Sequence, residues 1–396
     1  MREEWKKRKL GDVIALEYGK PLPKNQRCQN KEFPAYGANG IKCYAVKPFC
    51  DDPSIIVGRK GTAGAVNLVD GGFWPLDVTY YVTFDEDQYD LKFLYYMLSA
   101  LDLPSLATGV KPGINRNAVY AIDQYFPPLP EQKCIVAILD EAFAGIATAV
   151  ANTEKNLANA CELFESYLNA AFKQQADGWV RKALQEVTTK IGSGATPRGG
   201  QSAYKDKGIS LIRSLNVHDR RFKLGKLAFI DDAQAGRLSN AVVEDGDVLF
   251  NITGASIARC CVAPSAYLPA RVNQHVSILR PLPSELDSDF LCYLMTARIY
   301  KDHLLGIGDE GGSTRQAITK SQLQNLVIAL PNRAEQIRIV AKLKSIEAET
   351  QQLERYLGQK LTALDELKQS LLQKAFSGEL TAKESPNRIL KEEEVA

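Results

Sequence analysis

Along two long stretches, apolar and small residues recur in alternating steps of three and four. In the first they fall at 139, 142, 146, 149, 153, 157, 160, 164, 167 and 171. In the second they are Leu343, Ile346, Thr350, Leu353, Leu357, Leu361, Leu364, Leu367 and Leu371. The spacing predicts a helical seam, and the doubled step of four (Thr153 to Leu157, Leu357 to Leu361) predicts one stutter in each. Without an internal proline, each helix can run for roughly 60 Å at 1.5 Å per residue. A helix with one apolar stripe needs a partner, and the simplest partner is the other copy. Leu139, Ile146, Leu157, Leu163, Leu343, Leu353, Leu361 and Leu367 are predicted to pack between the two.

The stretches are repeats. Glu131–Phe172 lies on Glu335–Phe376 without a gap at an offset of 204. Each follows a Leu-Pro, at Leu129-Pro130 and Leu330-Pro331, with Asn332-Arg333-Ala334 reading as an insertion in the second. Weaker matches extend the repeat towards the N-terminus in the same order. Trp5 to Leu10 pairs with Trp179 to Leu184, and Phe93 to Leu98 with Phe290 to Met295. Gly109-x3-Gly113-x2-Arg116 pairs with Gly308-x3-Gly312-x2-Arg315. This describes one ancestral unit, a globular domain followed by a long helix, present twice.

Within the globular parts, Ser54–Val57, Val78–Phe84, Asp247–Phe250 and Val272–Leu279 read as strands. The Phe93 and Phe290 segments read as short amphipathic helices, and Gly58–Gly64 and Gly192–Gly200 as turns. The predicted fold is α+β: two mixed α/β domains joined by two long antiparallel coiled-coil helices with an internal pseudo-twofold repeat. The predicted boundaries are 1–130 and 175–334 for the domains, 131–174 and 335–380 for the helices, and 381–396 for a polar tail.

Composition narrows the function by exclusion. A chain of 396 residues with 45% apolar content can form two or three cored domains. No apolar run approaches the roughly 18 residues of a membrane span, and the start MREEWKKRKL lacks the apolar core of a signal peptide. Eight cysteines without a CxxC pair argue against zinc and against a disulfide framework, and favour a reducing cytoplasm. With a net charge of only +2, a nucleic-acid surface would have to gather its cations on one face.

The catalytic inventory is poor. There is no GxxxxGK[ST] loop, HExxH helix or GxSxG elbow. Of the three histidines, His275 lies in a predicted strand, where a hydrogen-bonded structural role fits best. Side chains suited to phosphates and base edges are more plentiful. In the first repeat they are Lys6, Arg59, Lys60, Thr62, Lys111, Asn115 and Arg116. In the second they are Arg213, Asn216, Arg220, Asn251, Thr253, Ser313, Thr314, Arg315 and Gln316. Each group alone also fits a solvated surface. Arg116 and Arg315, at matching places in the two copies, raise the case for DNA contact.

The order of a Trp-led domain, a Leu-Pro-Glu-Gln entry and a long helix, then the whole again, resembles the specificity subunit of type I restriction-modification systems. Leu129-Pro130-Glu131-Gln132-Lys133-Cys134-Ile135-Val136 resembles that family's helix opening, and Phe376-Ser377-Gly378-Glu379-Leu380 its close. The resemblance implies two target recognition domains, each reading half of a split sequence in double-stranded DNA, with the helices as spacer. It implies two modification subunits carrying S-adenosylmethionine for adenine methylation, and restriction subunits using ATP and magnesium. This chain would hold no cofactor and no catalytic residue. A coiled-coil scaffold whose repeated domains bind protein is the rival reading.

Overall fold

The computed structural model describes residues 4–29, 32–173, 178–309 and 317–382. The chain divides into two compact units, one running to Glu154 and resuming at Gly358, the other spanning Lys155–Leu357.

In the first unit a four-stranded antiparallel sheet carries β1 (Ile14–Tyr18), β2 (Ser54–Gly58), β3 (Val66–Val69) and β4 (Thr79–Phe84) in the order β1-β4-β2-β3. Helix α1 (Leu91–Ala100) packs Phe93, Leu94, Met97 and Leu98 into the core beside it. The short helix α2 (Arg116–Tyr120) follows, capped by Asn115, whose side chain accepts from Asn117 N–H. The strand Lys6–Lys9 pairs with Asp123–Phe126 and closes the domain at the entry to α3 (Leu129–Lys173).

The second unit repeats this plan. Its sheet holds β5 (Thr188–Ser193), β6 (Val248–Asn251), β7 (Cys260–Val262) and β8 (Val276–Pro281), ordered β5-β8-β6-β7. Helix α4 (Ser288–Thr296) packs beside it and is buried on every side from Leu291 on, so the amphipathic pattern expected there gives way to a core helix. Then come α5 (Lys320–Gln324), the closing ribbon of Val180–Ala183 with Val327–Leu330, and α6 (Arg333–Ser377). Each unit also has a second four-stranded sheet, larger in span in the second unit, where most of the inserted residues lie.

The entries of the two long helices are superposable bond for bond. Gln132, 1% exposed, donates to the carbonyls of Gln88 (3.0 Å) and Pro127 (2.9 Å) and accepts from Asp90 N–H at 2.9 Å. Gln336, fully buried, donates to Glu285 (2.8 Å) and Pro331 (3.0 Å) and accepts from Asp287 N–H at 2.9 Å. Asp90 and Asp287 in turn cap α1 and α4. Both N–H donors and one oxygen lone pair of each buried amide thus fix a domain to its helix, as burial requires. These bonds match Pro127 with Pro331 and Pro128 with Asn332. Asn332-Arg333-Ala334 is therefore no insertion. The second Leu-Pro corresponds to Phe126-Pro127, and Asn332 caps α6 through Glu335 N–H at 3.0 Å.

In each unit the start of one long helix packs beside the end of the other, so the two run antiparallel. In the first unit Ile135, Val136 and Leu139 share a core with Leu372 and Ala375, and Lys368 Nζ lies 5.4 Å from the Phe143 ring centre. In the second, Phe164, Leu168 and Phe172 share a core with Val340 and Leu343. Phe93 meets Phe376, and Phe290 meets Phe172, both at 5.4 Å between ring centres.

Of the predicted seam, Leu139 and Leu343 are buried, while Ile146, Leu157 and Leu361 are half-buried. Leu163, Leu353 and Leu367 are exposed, which corrects their assignment. A straight helix drifts against a 3.5-residue repeat. The inward face therefore moves in steps of four through 164, 168 and 172 on α3, leaving Leu163 outside. On α6 it passes through Leu357, Leu361 and Leu364 to Leu371 and Leu372, leaving Leu367 outside. An 18-residue stretch of α3 also reaches a mean hydropathy of 1.9, long and apolar enough to cross a membrane by composition. The stretch includes Asp140 and Glu141, whose charge is outweighed by its Ile, Val, Leu and Ala residues, so it is not an uninterrupted apolar run of the kind excluded from the sequence.

Candidate nucleic-acid interface

Backbone bonds place the same loop cluster at the same end of both sheets. The turn after β2 sends Arg59 N–H to Val78 O (2.9 Å) and receives Ile114 N–H on Arg59 O (2.9 Å). The turn after β6 sends Ile252 N–H to His275 O (3.0 Å) and receives Ile318 N–H on Ile252 O (2.9 Å). Gly64 N–H to Gly58 O and Ala258 N–H to Asn251 O, both 2.8 Å, close the two turns alike. Lys60 bridges to Gly113 where Thr253 bridges to Ala317.

On this frame the first unit places a cluster of arginines and tyrosines. The Arg59 and Arg116 guanidinium carbons lie 4.9 and 5.1 Å from the ring centre of Tyr18, which is 45% exposed. Such contact holds a guanidinium by its face and leaves its edge donors to other partners, and Arg116 Nη1 donates to Leu16 O at 3.5 Å. Arg59 Nη1 also donates to Asp77 O at 3.1 Å, and Tyr80 OH donates to Ile114 O at 3.1 Å. Beside it a hairpin closed by Thr108 and Gly113 exposes Val110 and Lys111, with Gly109 at φ +91° supplying the turn. Lys60 and Thr62 are exposed on the neighbouring turn.

The second unit builds a groove of about 690 Å³ at the corresponding loops, lined by Ser214, His218, Thr253, Ser256, Arg259 and His275 among others. His275 Nδ1 lies 2.6 Å from Thr253 Oγ1, its Nε2 lies 3.2 Å from Gln274 Nε2, and Thr196 Oγ1 donates to Gln274 Oε1 at 2.5 Å. Burial, with Lys223 and Arg259 adding to it, lowers the His218 pKa below its ordinary value. Among the described residues no group of three His, Cys, Asp or Glu side chains is placed to hold a metal ion.

The type I restriction modification DNA specificity domain family matches residues 2–158 and 176–363. The chain belongs to that family. It is 25% identical over 353 residues to the EcoBI specificity subunit of Escherichia coli, covering 78% of this chain and 71% of that one. With the EcoKI specificity subunit of Escherichia coli K12 it shares 26% identity over 302 residues, 68% of this chain and 61% of the relative. A chain from a solved structure of a type I R-M system superposes with TM-score 0.76 at 21% identity, covering 96% of this chain and 99% of that one. The HsdS subunit from Thermoanaerobacter tengcongensis gives TM-score 0.60 at 21% identity over 96% and 98%. These two share the fold.

Several residues predicted for DNA contact in this specificity-family chain are engaged by, or lie beside, neighbours within their own unit. Arg220 sits at φ +59° and its guanidinium binds Glu165 of α3 at 2.9 Å and Glu347 of α6 at 3.1 Å, 4.8 Å from the Phe164 ring centre. Tyr293 OH also donates to Glu347, at 2.6 Å. Asn216 is fully buried and holds its turn through Arg213 N–H and the Lys223 carbonyl. Asn251, also fully buried, donates to Ser214 O at 3.0 Å. Arg213 stacks on Tyr204 and donates to the Lys226 carbonyl. Lys6 lies on the closing ribbon opposite Phe126, beside Glu4, Arg8 and Asp87.

Ser313, Thr314, Arg315 and Gln316 lie outside the described residues. The match of Arg116 to Arg315 is corrected all the same. Ile114 corresponds to Ile318 and the helix cap Asn115 to the cap Thr319, so Arg116 corresponds to Lys320. Sequence reading missed Tyr18, Tyr80, Gln274 and Arg259. Only the folded strands bring them to the loops, and their spacing carries no signal.

Proposed function

We propose that this chain is the DNA sequence-recognition subunit of a type I restriction-modification complex. Residues 1–130 and 175–334 each read one half of a bipartite target in double-stranded DNA, and the helices at 131–174 and 335–380 set the gap. One observation carries this reading. The two domains present one backbone frame with different side chains on it: Tyr18, Arg59, Lys60 and Arg116 in one, Thr253, His275 and Lys320 in the other. A duplicated catalytic site would have kept its side chains, whereas a duplicated reader must change them to read two different half-sites.

Arg59 and Arg116 are assigned to bases or phosphates of the first half-site, with Lys60, Thr62, Lys111 and Asn115 alongside. Thr253 and Ser256 serve the second. Catalysis falls to partners: two modification subunits with S-adenosylmethionine, and restriction subunits with ATP and magnesium. The half-exposed apolar side chains along the long helices, Leu163, Tyr167, Leu353, Tyr356 and Leu367, support a partner surface there. A cytoplasmic location follows from the DNA substrate.

The test is a binding series with the native target and with each half-site scrambled, in the presence of the modification subunits. Each scramble is expected to cost several kcal/mol, at about 1–3 kcal/mol per mismatched base pair. Arg116→Ala should relax only the first half-site if it reads guanine, or lower the salt slope by about one if it holds phosphate. Equal affinity for native and scrambled targets would favour a protein-binding scaffold.

A further inference from the structure

We propose that Gln274 is a base-reading residue of the second domain and that it takes adenine through the N7 and N6 atoms of its major-groove edge. This rests on the DNA-recognition reading above.

Gln274 stands at the tip of the turn entering β8 and is exposed. The turn is rigid. Asn273, 4% exposed, accepts His275 N–H on its side chain at 3.1 Å, and Gly194 donates its N–H to the Asn273 carbonyl at 3.2 Å. A side chain at Gly194 would come within 1.8 Å of the Val272 carbonyl, so glycine alone permits this approach.

The amide of glutamine carries two N–H donors and two oxygen lone pairs. One lone pair is taken by Thr196 Oγ1 at 2.5 Å, and one N–H faces His275 Nε2 at 3.2 Å. His275 is fixed in turn by Thr253 Oγ1 at 2.6 Å. The remainder is one N–H and one lone pair on an exposed side chain. Exchanging the two ends of the amide reverses the relay but leaves the same remainder. Adenine offers the complement, an N7 acceptor next to an N6 donor, while guanine offers two acceptors. Arg259 on the neighbouring turn supplies the cation that phosphate contact needs.

The first domain supports the assignment by contrast. Thr79 N–H to Leu76 O (2.9 Å) and Val276 N–H to Asn273 O (3.4 Å) make the two turns equivalent, and Asp77 falls on Gln274. A carboxylate only accepts, so the same turn carries a different code in each domain.

The experiment selects bound duplexes from a randomised pool with the full chain and its modification subunits, and sequences them. The unaltered protein should return a bipartite consensus. Gln274→Ala should lose preference for one adenine in one half by about 5- to 100-fold and leave the other half unchanged. Replacing that adenine by 7-deazaadenine should weaken the unaltered protein and leave the variant unaffected. An unchanged consensus for Gln274→Ala would overturn the inference while leaving the wider reading intact. Absence of any consensus for the unaltered protein would overturn both.

Discussion

Burial separates leucines that the helical repeat treats alike. Leu168 and Leu372 are 0% and 3% exposed, whereas Leu163 and Leu367 are 51% and 48% exposed. Leu168→Ala or Leu372→Ala should lower stability by roughly 2–5 kcal/mol, the cost of emptying a packed site. Leu163→Gln or Leu367→Gln should stay within about 0.5 kcal/mol. Chemical denaturation of the four variants checks this, and a large loss at Leu163 would place it in the seam after all. Individual seam residues were legible where the register is local, at Leu139 and Leu343. They were not legible at Leu163, Leu353 and Leu367, where a small drift per turn decides which side chain faces inward.

At the scale of elements, one ion pair occurs twice with its signs exchanged. Lys92 on α1 meets Asp140 on α3 at 2.6 Å, and Asp289 on α4 meets Lys344 on α6 at 2.6 Å. Lys92 and Asp289 occupy equivalent repeat positions, as do Asp140 and Lys344. The pairs are half-exposed, so each contributes only about 0.2–1 kcal/mol. Lys92→Asp should weaken the docking of α1 on α3 by a similar amount, and adding Asp140→Lys should restore it. Thermal denaturation of the single and double variants is the measurement. Failure of the double variant to recover would deny the pair a role. Burial pushes the Asp140 pKa up, but its bonds to Lys92 and Tyr96 outweigh this and bring it below the ordinary 3.8. A depressed carboxylate stabilises the fold above its unfolded value. The contribution of Asp140 should therefore be present at neutral pH and fade as pH falls below 3.8 through its lower folded value.

At the scale of the whole molecule, Arg220 ties the second domain to both long helices. Its side chain is 15% exposed and that of Glu347 17%. Arg220→Ala leaves Glu347 without its cation and should cost roughly 3 kcal/mol. Hydrogen exchange should quicken within residues 155–357 and hold steady in the other unit; uniform quickening would mean that the clamp is not local. The architecture was legible because duplication writes it twice. The candidate interface was legible only in part. Arg59 and Arg116 stood out beside glycine turns, and the structure stacks both on Tyr18. Arg220, next to Arg221, reads the same way, but its left-handed backbone turns it inward, and no sequence signal marks that.

The two buried glutamines carry a last implication. Gln132 and Gln336 grip only main-chain groups of the domain: two carbonyls and the N–H of a capping aspartate. A clasp made to backbone is indifferent to the rest of the domain's sequence. A domain exchanged as a cassette at Pro127 or Pro331 would meet the same backbone clasp, with the helix as a standard socket. The residues at 92 and 289 then act as a polarity key, so a cassette moved between sockets meets like charge until one partner changes sign.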